Sequence, residues 1–240
     1  MATAVGQSIS QVRAKASSPR RTFARLSGIV LAVTLVAILF EHGVPGAIAG
    51  QRVSGTDSVS AIHNFYNHRS FLAVWWLGGV GIIGLVFFPL AFRAYLRTFE
   101  LDPTAALLTD LATAIMVLEA PLIAIELGLQ SALVQVVSGG SDNGVLALFA
   151  GWDWIYNGFT YWFEIAWMSI WAALALRTAA LPRWVALLGG VAALGLLFNS
   201  AVLVLRLADN YTLIPTVFLV AWMLCTSVYL LRGGNQAAAG

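Results

Sequence analysis

Six long apolar runs dominate this chain, and they restrict its fold more than any other feature of the sequence. A helix needs about 20 residues to cross about 30 Å of hydrocarbon, and each run approaches that length. Of the 240 residues, 60% are hydrophobic and only 10% are charged, whereas soluble domains carry roughly 25% charged residues. The sequence therefore predicts an all-α, polytopic transmembrane helical bundle and not a barrel, whose strands would be short and alternating.

The apolar runs and the turn signals between them divide the chain into three parts. We expect a flexible basic cytoplasmic tail at 1–22, a six-helix transmembrane domain at 23–232 and a disordered C-terminal tail at 233–240. Asp102 is suited to cap the third helix, and Pro103 suits its first position. The six helices are expected at Phe23–Val44, Phe71–Arg93, Thr104–Val134, Leu146–Arg177, Trp184–Leu207 and Leu213–Leu231, with a polar loop at 45–70.

Basic residues are distributed unevenly between the two sides of such a bundle. Six crossings put both termini on one side, and basic loops tend to stay in the cytoplasm. Only Arg52, Arg69 and Arg206 fall on the side opposite the termini. The bias predicts that both termini are cytoplasmic, because ten basic residues fall on their side: Arg13, Lys15, Arg20, Arg21, Arg25, Arg93, Arg97, Arg177, Arg183 and Arg232.

The N-terminal segment also resembles an export signal. The stretch "PRRTFARLSG" is similar to a twin-arginine signal, and "AIA" at 47–49 is similar to a cleavage site. Glu41 and His42 are unusual so close to a cleavage site, and the twin-arginine route serves folded soluble cargo. We therefore expect the first helix to be retained in the membrane.

Several classes of function have no support in the sequence. It contains no nucleotide-binding, zinc-protease or serine-hydrolase signature, so we expect no cofactor. Cys225 is the only cysteine, which excludes an internal disulfide. The one basic cluster is the short N-terminal tail, so nucleic acid is not an expected partner.

Carboxyl groups inside the third and fourth helices are the strongest functional signal. Glu119 and Glu126 are seven residues apart in "MVLEAPLIAIELGL", so they point to the same side of a helix. A charged group facing lipid costs about 2.5–3.5 kcal/mol, so both should face the bundle interior. Glu164 lies at a similar depth, where an ionisable group indicates function by default. An ion pair of Arg206 with Glu126 or Asp209 would instead be structural.

Polar residues on other helices are expected to face the same interior. The fourth helix carries a stripe at alternating spacings of four and three, which defines one helical face: Asp153, Asn157, Thr160, Glu164, Trp167 and Trp171. The first and fifth helices add Ser27, Thr34, Glu41, Asn199 and Arg206. One interpretation of the set is a polar cavity that opens toward the outer side, and we favour it for Glu119, Glu126 and Glu164. The alternative is a set of interhelical hydrogen bonds that only hold the bundle together, and we favour it for Asn157, Thr160, Thr34 and Asn199.

Tryptophan is abundant, and its positions fall into two groups. Those near helix ends fit an interfacial belt: Trp75, Trp76, Trp152, Trp154 and Trp184. Those at greater depth are Trp162, Trp167, Trp171 and Trp222. Trp167 and Trp171 share the face of Glu164, so they are candidates for lining a ligand or stacking over a cation. Packing alone is the alternative.

Histidines at the outer side raise the question of a metal. The stretch "HNFYNH" holds His63 and His68, and His42 follows Glu41 at the outer end of the first helix. Imidazole and carboxylate are ordinary metal ligands, but a spacing of five does not place two histidines on one helical face. The favoured alternative is an amphipathic interfacial segment whose aromatic side chains enter the headgroups: Phe65, Tyr66 and Phe71.

Two segments resemble a known family when they are taken with the order of the six helices. They are "RLSGIVLAVTLVAILFEHG" at 25–43 and "LPRWVALLGGVAALGLLFNSAVLVL" at 181–205. The chain is similar, over about residues 23–232, to an uncharacterised family of bacterial six-helix membrane proteins known as a domain of unknown function. The resemblance implies a bacterial cytoplasmic (inner) membrane location and no assigned activity.

Three functions are consistent with these features, and we favour the first. The protein binds or passes a small hydrophobic molecule in a transporter-like, sensory or accessory role. Alternatively, it is a membrane-embedded acid/base enzyme of the cyclase or isomerase type, in which Glu119 or Glu164 donates a proton to a lipid-soluble substrate and Glu126 or Asp153 accepts one. In the third reading it is a structural subunit whose glutamates pair with another membrane chain.

Overall fold

The fold is built from helices alone. A computed structural model describes residues 2–50, 53, 57–204 and 213–234, with side chains described from residue 19 to 202 and from residue 216 onward within these ranges. No strand occurs in these ranges, so the predicted all-α class is confirmed. The helices are α1 Ala2–Ala49, α2 Val59–Tyr66, α3 Phe71–Leu96, α4 Pro103–Val136, α5 Asp142–Thr178, α6 Arg183–Val204 and α7 Leu213–Leu231.

Five of these helices are long and apolar enough to cross a membrane. The spans are Pro19–Ala49, Phe71–Leu96, Pro103–Val136, Asp142–Thr178 and Arg183–Val202. Helix α7 is also apolar, and the part of it with described side chains, Thr216–Leu231, is shorter than a full span. A multi-pass membrane protein is compatible with this arrangement. Six crossings and cytoplasmic termini remain predictions.

Helix α1 extends beyond both of its predicted ends. It runs from Ala2 to Ala49 and includes Pro19 and Pro45, whereas the sequence predicted a helix from Phe23 to Val44. The predicted tail at 1–22 is therefore helical in backbone from Ala2. The residues before Pro19 include many good helix formers, such as Ala, Gln, Arg and Lys, and no proline. The division of the chain into tails and a transmembrane domain remains a prediction.

The loop predicted at 45–70 contains a short helix that the sequence did not predict. Ser58 caps α2, since its hydroxyl accepts a hydrogen bond of 3.3 Å from the backbone N–H of Ala61. Phe65 and Tyr66 are buried by packing against Phe71 and Trp75. The expectation that these aromatic side chains enter lipid headgroups is therefore wrong. Protein covers them because α2 packs against the start of α3 and against Phe149 of α5.

The opposite end of the bundle is fixed by a cap and by ion pairs. The carboxylate of Asp102 accepts a hydrogen bond of 3.0 Å from the backbone N–H of Ala105, which confirms the predicted start of α4 with Pro103 at its first position. Arg93 and Arg97 each contact Asp110 at 2.6 Å, linking α3 to α4. Partly exposed pairs of this kind contribute about 1 kcal/mol or less each. They set the register of the helix ends more than they stabilise the fold.

Helices α1 and α3 approach closely along a face of glycines. Gly78, Gly81 and Gly84 are buried at intervals of three on α3. The side chain of Thr34 occupies the space that a Cβ at Gly84 would need, and the Cβ of Ala37 lies 3.4 Å from the corresponding position at Gly81. Small residues allow such backbone approach in membrane bundles. The same face admits the carboxyl group of Glu41, whose Oε2 lies 3.2 Å from the Cβ position of Gly78.

Candidate functional site

Two carboxyl groups of α4 point at α5. Glu119 and Glu126 are only 1% and 2% exposed. The indole N–H of Trp167 donates a hydrogen bond of 2.6 Å to Oε2 of Glu119, and the hydroxyl of Thr160 donates one to Oε1 of Glu126. The prediction that both acids face the interior from one side of a helix is confirmed.

Two further acids lie within electrostatic reach of this pair. Glu164 of α5 interacts with both Glu119 and Glu126, and its Oε2 is enclosed without a hydrogen-bond partner. Glu41 of α1 is buried and interacts with Glu126. We call these four residues, Glu41, Glu119, Glu126 and Glu164, the carboxyl cluster. It collects one acid from α1, two from α4 and one from α5.

No arginine or lysine of the described residues forms an ion pair with the carboxyl cluster. The ion pairs found there join other residues, at the helix ends. His42, the neighbour of Glu41, is the one basic group that interacts with a member of the cluster in this part of the chain. The predicted partner Arg206 and the nearby Asp209 lie outside the described residues. Buried charges are costly unless paired, so the cluster requires protons or a positively charged guest.

A single π-helical turn at Trp154–Thr160 interrupts α5 beside the cluster. Such turns are rare and are frequently found at functional sites. Because a π turn brings residues five apart together, the Thr160 hydroxyl lies 3.1 Å from the carbonyl oxygen of Ile155. The hydroxyls of Tyr156 and Tyr161 are hydrogen-bonded to each other for the same reason, and both rings lie near Glu126 and Glu164.

Sequence reasoning missed this tyrosine pair. A spacing of five does not place two residues on one face of an α-helix, and nothing in "WIYNGFT" marks the wider turn. The predicted stripe on α5 was correct for Thr160, Glu164 and Trp167, which meet α4 or the cluster. One sequence feature could have pointed to Tyr156 as a site residue. It is the abundance of hydroxyl and amide side chains within one short aromatic stretch.

Asp153 and Asn157 lie closer to the start of α5 than Glu164 does. Asn157 Nδ2 donates a hydrogen bond of 2.6 Å to Oδ1 of Asp153, while its own Oδ1 has no partner. Asp153 is half-buried and interacts with Tyr66 of α2. Burial, and secondarily this carboxylate, raises the pKa of the Tyr66 hydroxyl. The pair therefore lies near α2, and Asp153, like Glu164, is less buried than Glu41, Glu119 and Glu126.

Aromatic rings form a wall next to Glu119. Trp167 lies 5.2 Å from Trp171 and 5.8 Å from Trp222, measured between ring centroids. Trp171 is buried edge-on against Phe88, and its indole nitrogen has no hydrogen-bond partner. Both Trp167 and Trp171 are buried. Their role in lining a ligand site stays a prediction.

One tryptophan assignment needs correction. Trp162, which was predicted only to lie away from the helix ends, is 53% exposed and points out of the bundle. Trp75 is buried against Phe71 and Tyr66 and does not belong to a surface belt. The remaining candidates for the belt differ in exposure, since Trp152 is half-buried while three others are exposed: Trp76, Trp154 and Trp184.

Asn199 reaches the interior from α6. It is 1% exposed, and neither its amide nitrogen nor its amide oxygen has a hydrogen-bond partner. The adjacent Ser200 is also buried with an unpaired hydroxyl. By contrast, the hydroxyls of Ser27 and Thr34 on α1 donate to carbonyl oxygens of their own helix, which fits a structural role. The interior therefore has unsatisfied polar atoms on α5 and α6.

The structure does not bring the three histidines together. His63 contacts Asp142 at 3.2 Å, the ring of His42 lies 5.6 Å from that of Tyr156, and His68 lies against Phe71. Within the described ranges, no three side chains of His, Cys, Asp or Glu are grouped as a metal site requires.

Comparison of the chain with family models, curated proteins and solved structures returned no match. The resemblance of segments 25–43 and 181–205 to a bacterial six-helix family therefore remains a prediction. What the fold and the site define is a class: a bundle of apolar helices, compatible with a multi-pass membrane protein, that encloses acidic side chains.

Proposed function

We propose that this chain is a multi-pass protein of the bacterial cytoplasmic membrane that binds a small, mostly apolar molecule in the interior of its bundle. It crosses the lipid bilayer six times, with both termini in the cytoplasm, and it acts in a transporter-like, sensory or accessory role. The observation that supports a ligand is the carboxyl cluster with its aromatic wall. Four acids from three helices lie within electrostatic reach of other members of the set, and no arginine or lysine of the described residues forms an ion pair with them.

The chemistry of the cluster restricts the ligand. Carboxyl and amide oxygens accept hydrogen bonds, so the guest must present a donor such as a hydroxyl or an amino group. The rings of Trp167, Trp171 and Trp222 offer an apolar surface to the rest of the molecule. Ligand sites are commonly apolar clefts with a few polar groups that fix orientation, and this pattern matches that description.

The test is recovery of the ligand from protein purified out of its own membrane. Organic extracts of the wild-type protein and of a Glu119→Gln/Glu126→Gln variant are compared by mass spectrometry. Glutamine keeps the shape and still accepts the bonds from Trp167 and Thr160, so the fold should persist. We expect a molecule enriched in the wild-type extract and reduced about tenfold or more in the variant, since a hydrogen bond to a charged group contributes about 1.5–3 kcal/mol.

Glu100→Gln is the matched control, because this exposed acid lies in the turn between α3 and α4. It should retain the molecule at the wild-type level. Equal extracts from all three proteins would contradict the proposal. Failure of the double variant to accumulate, with normal accumulation of the control, would instead favour the structural reading, in which the glutamates assemble this chain with other membrane subunits.

An acid/base enzyme is the second candidate, and one contact favours it. Glu119 is hydrogen-bonded to Trp167, whose ring adjoins Trp171, so a proton donor lies beside rings that stabilise a carbocation. Addition of a proton to a carbon–carbon double bond by Glu119 or Glu164, and loss of another to Glu126 or Asp153, would isomerise or cyclise a polyene with no net change in atoms. In the same extraction, this function predicts that the wild-type protein yields the substrate and the product, which have equal mass. The variant should yield only the substrate.

A further inference from the structure

Unpaired polar atoms lie on two neighbouring helices at nearly the same depth. On α5, Oε2 of Glu164 is enclosed without a partner, and on α6 both amide atoms of Asn199 are unpaired. Buried polar groups in native proteins nearly always have partners, so each exception requires an explanation. Asn199 is evidence that does not depend on the acids. Its amide is uncharged, so charge repulsion does not explain why it lacks a hydrogen-bond partner.

Helix geometry places these two residues at a similar depth. Helices α5 and α6 pack against each other and are joined by a tight turn at 179–182. At 1.5 Å per residue, Glu164 lies about 21 Å from the end of α5 at Thr178, and Asn199 lies about 24 Å from the start of α6 at Arg183. Asn199 also shares the buried face of α6 with Leu196 and Ala192. The unpaired atoms of both residues therefore lie at nearly the same depth in the bundle.

The groups in this layer favour a cation. Glu164 interacts with Glu119 and Glu126, so the layer is rich in acids and in oxygen acceptors. A hydroxyl would donate one hydrogen bond and supply no positive charge, so every acid of the layer would have to carry a proton. An ammonium group donates up to three hydrogen bonds and also supplies the positive charge. One turn and two turns further along the face of Glu164, the rings of Trp167 and Trp171 offer a surface for cation–π or apolar contact.

We propose that the ligand of this site is a lipophilic amine, whose ammonium group binds between Glu164 and Asn199 and whose hydrocarbon body lies against Trp167 and Trp171. This inference rests on the proposed function and specifies the class of molecule. An alkylamine is protonated at neutral pH, because amines of the lysine type have a pKa of about 10.4. An ordered water molecule would satisfy Asn199 without any preference for amines.

The test compares two probes that differ only in the polar group. Phenylbutylamine and phenylbutanol are titrated into the full chain in lipid nanodiscs, with empty nanodiscs as the baseline for partitioning, and binding is followed by quenching of tryptophan fluorescence. We expect saturable binding of the amine about tenfold or more tighter than that of the alcohol, as a charge-assisted hydrogen bond implies. Glu164→Gln and Asn199→Leu should each remove this preference, and Glu164→Asp should retain part of it.

Two control variants separate the site from general effects of burial. Thr226→Val removes another buried and unpaired hydroxyl, near the end of α7, and Glu100→Gln removes an exposed acid. Both should bind the two probes as the wild type does. Thermal unfolding of every variant checks that the bundle is intact, and Glu164→Asp keeps the test decisive if Glu164→Gln does not fold.

The outcomes for this inference and for the proposed function are distinct. Equal affinity for the amine and the alcohol would overturn the inference and leave the proposed function standing. Amine binding that is unchanged in both Glu164→Gln and Asn199→Leu would also overturn it. If neither probe binds and no molecule is recovered by extraction, the proposed function fails together with the inference.

Discussion

At the scale of single residues, the contact between Glu119 and Trp167 shows why the carboxyl groups face inward. The two residues are 48 apart in sequence and lie on different helices. The hydrogen bond joins Nε1 of Trp167 and Oε2 of Glu119 at 2.6 Å. In the membrane interior no bulk water competes for these groups, so each depends on the other. The sequence predicted the direction of Glu119 from the cost of an acid in lipid. It did not identify the donor, because spacing within α5 does not determine which residue of α4 lies opposite.

Replacing Trp167 with phenylalanine tests this contact, since the change keeps an aromatic ring and removes the N–H. We expect a loss of about 1–3 kcal/mol in the free energy of unfolding, as an oxygen of Glu119 loses its partner. Trp162→Phe is the matched control on the same helix, because the ring of Trp162 is exposed. We expect it to alter the free energy of unfolding by no more than about 0.5 kcal/mol. Denaturant titration in detergent measures both, and equal effects of the two changes would show that the bond does not stabilise the fold.

At the scale of helices, the long apolar runs were sufficient to predict α3, α4 and most of α5 and α6. Each run is bounded by turn signals, and caps such as Asp102 fix its start. The π turn of α5 and the short helix α2 could not be predicted in this way. Both depend on tertiary packing: α2 is stabilised by burying Phe65 and Tyr66, and the π turn lies where Thr160 meets Glu126.

The glycine face of α3 gives a prediction for helix packing. Gly84→Ala places a methyl group where Thr34 lies, and the Thr34 hydroxyl is itself held by the carbonyl oxygen of Val30. Overpacking of this kind costs about 1–3 kcal/mol, so the midpoint of thermal unfolding should fall. A Cβ added at Gly79 meets nothing within 4 Å. Gly79→Ala should therefore be neutral or stabilising, because alanine favours a helix over glycine by up to about 1 kcal/mol. A stable Gly84→Ala variant would contradict the close packing of α1 and α3.

At the scale of the whole molecule, the distribution of basic residues and the six apolar runs predict a membrane topology with both termini in the cytoplasm. Single cysteines in a Cys225→Ala background test it by labelling intact cells with a membrane-impermeant maleimide. Ser138→Cys, between α4 and α5, should be labelled in intact cells. Glu100→Cys, between α3 and α4, should be labelled only after the membrane is opened. Both positions are exposed in the structure, so the reverse pattern would contradict cytoplasmic termini.

The central claim is that the acids of α1, α4 and α5 share an enclosed layer with Asn199 and that this layer holds a guest molecule. An experimental density map of the purified protein in lipid nanodiscs tests it most directly. We predict that Glu119 lies within hydrogen-bonding distance of Trp167, and that density not belonging to the polypeptide lies between Glu164 and Asn199. Carboxyl groups on the lipid-facing surface, or a layer filled by the protein's own side chains, would contradict the account.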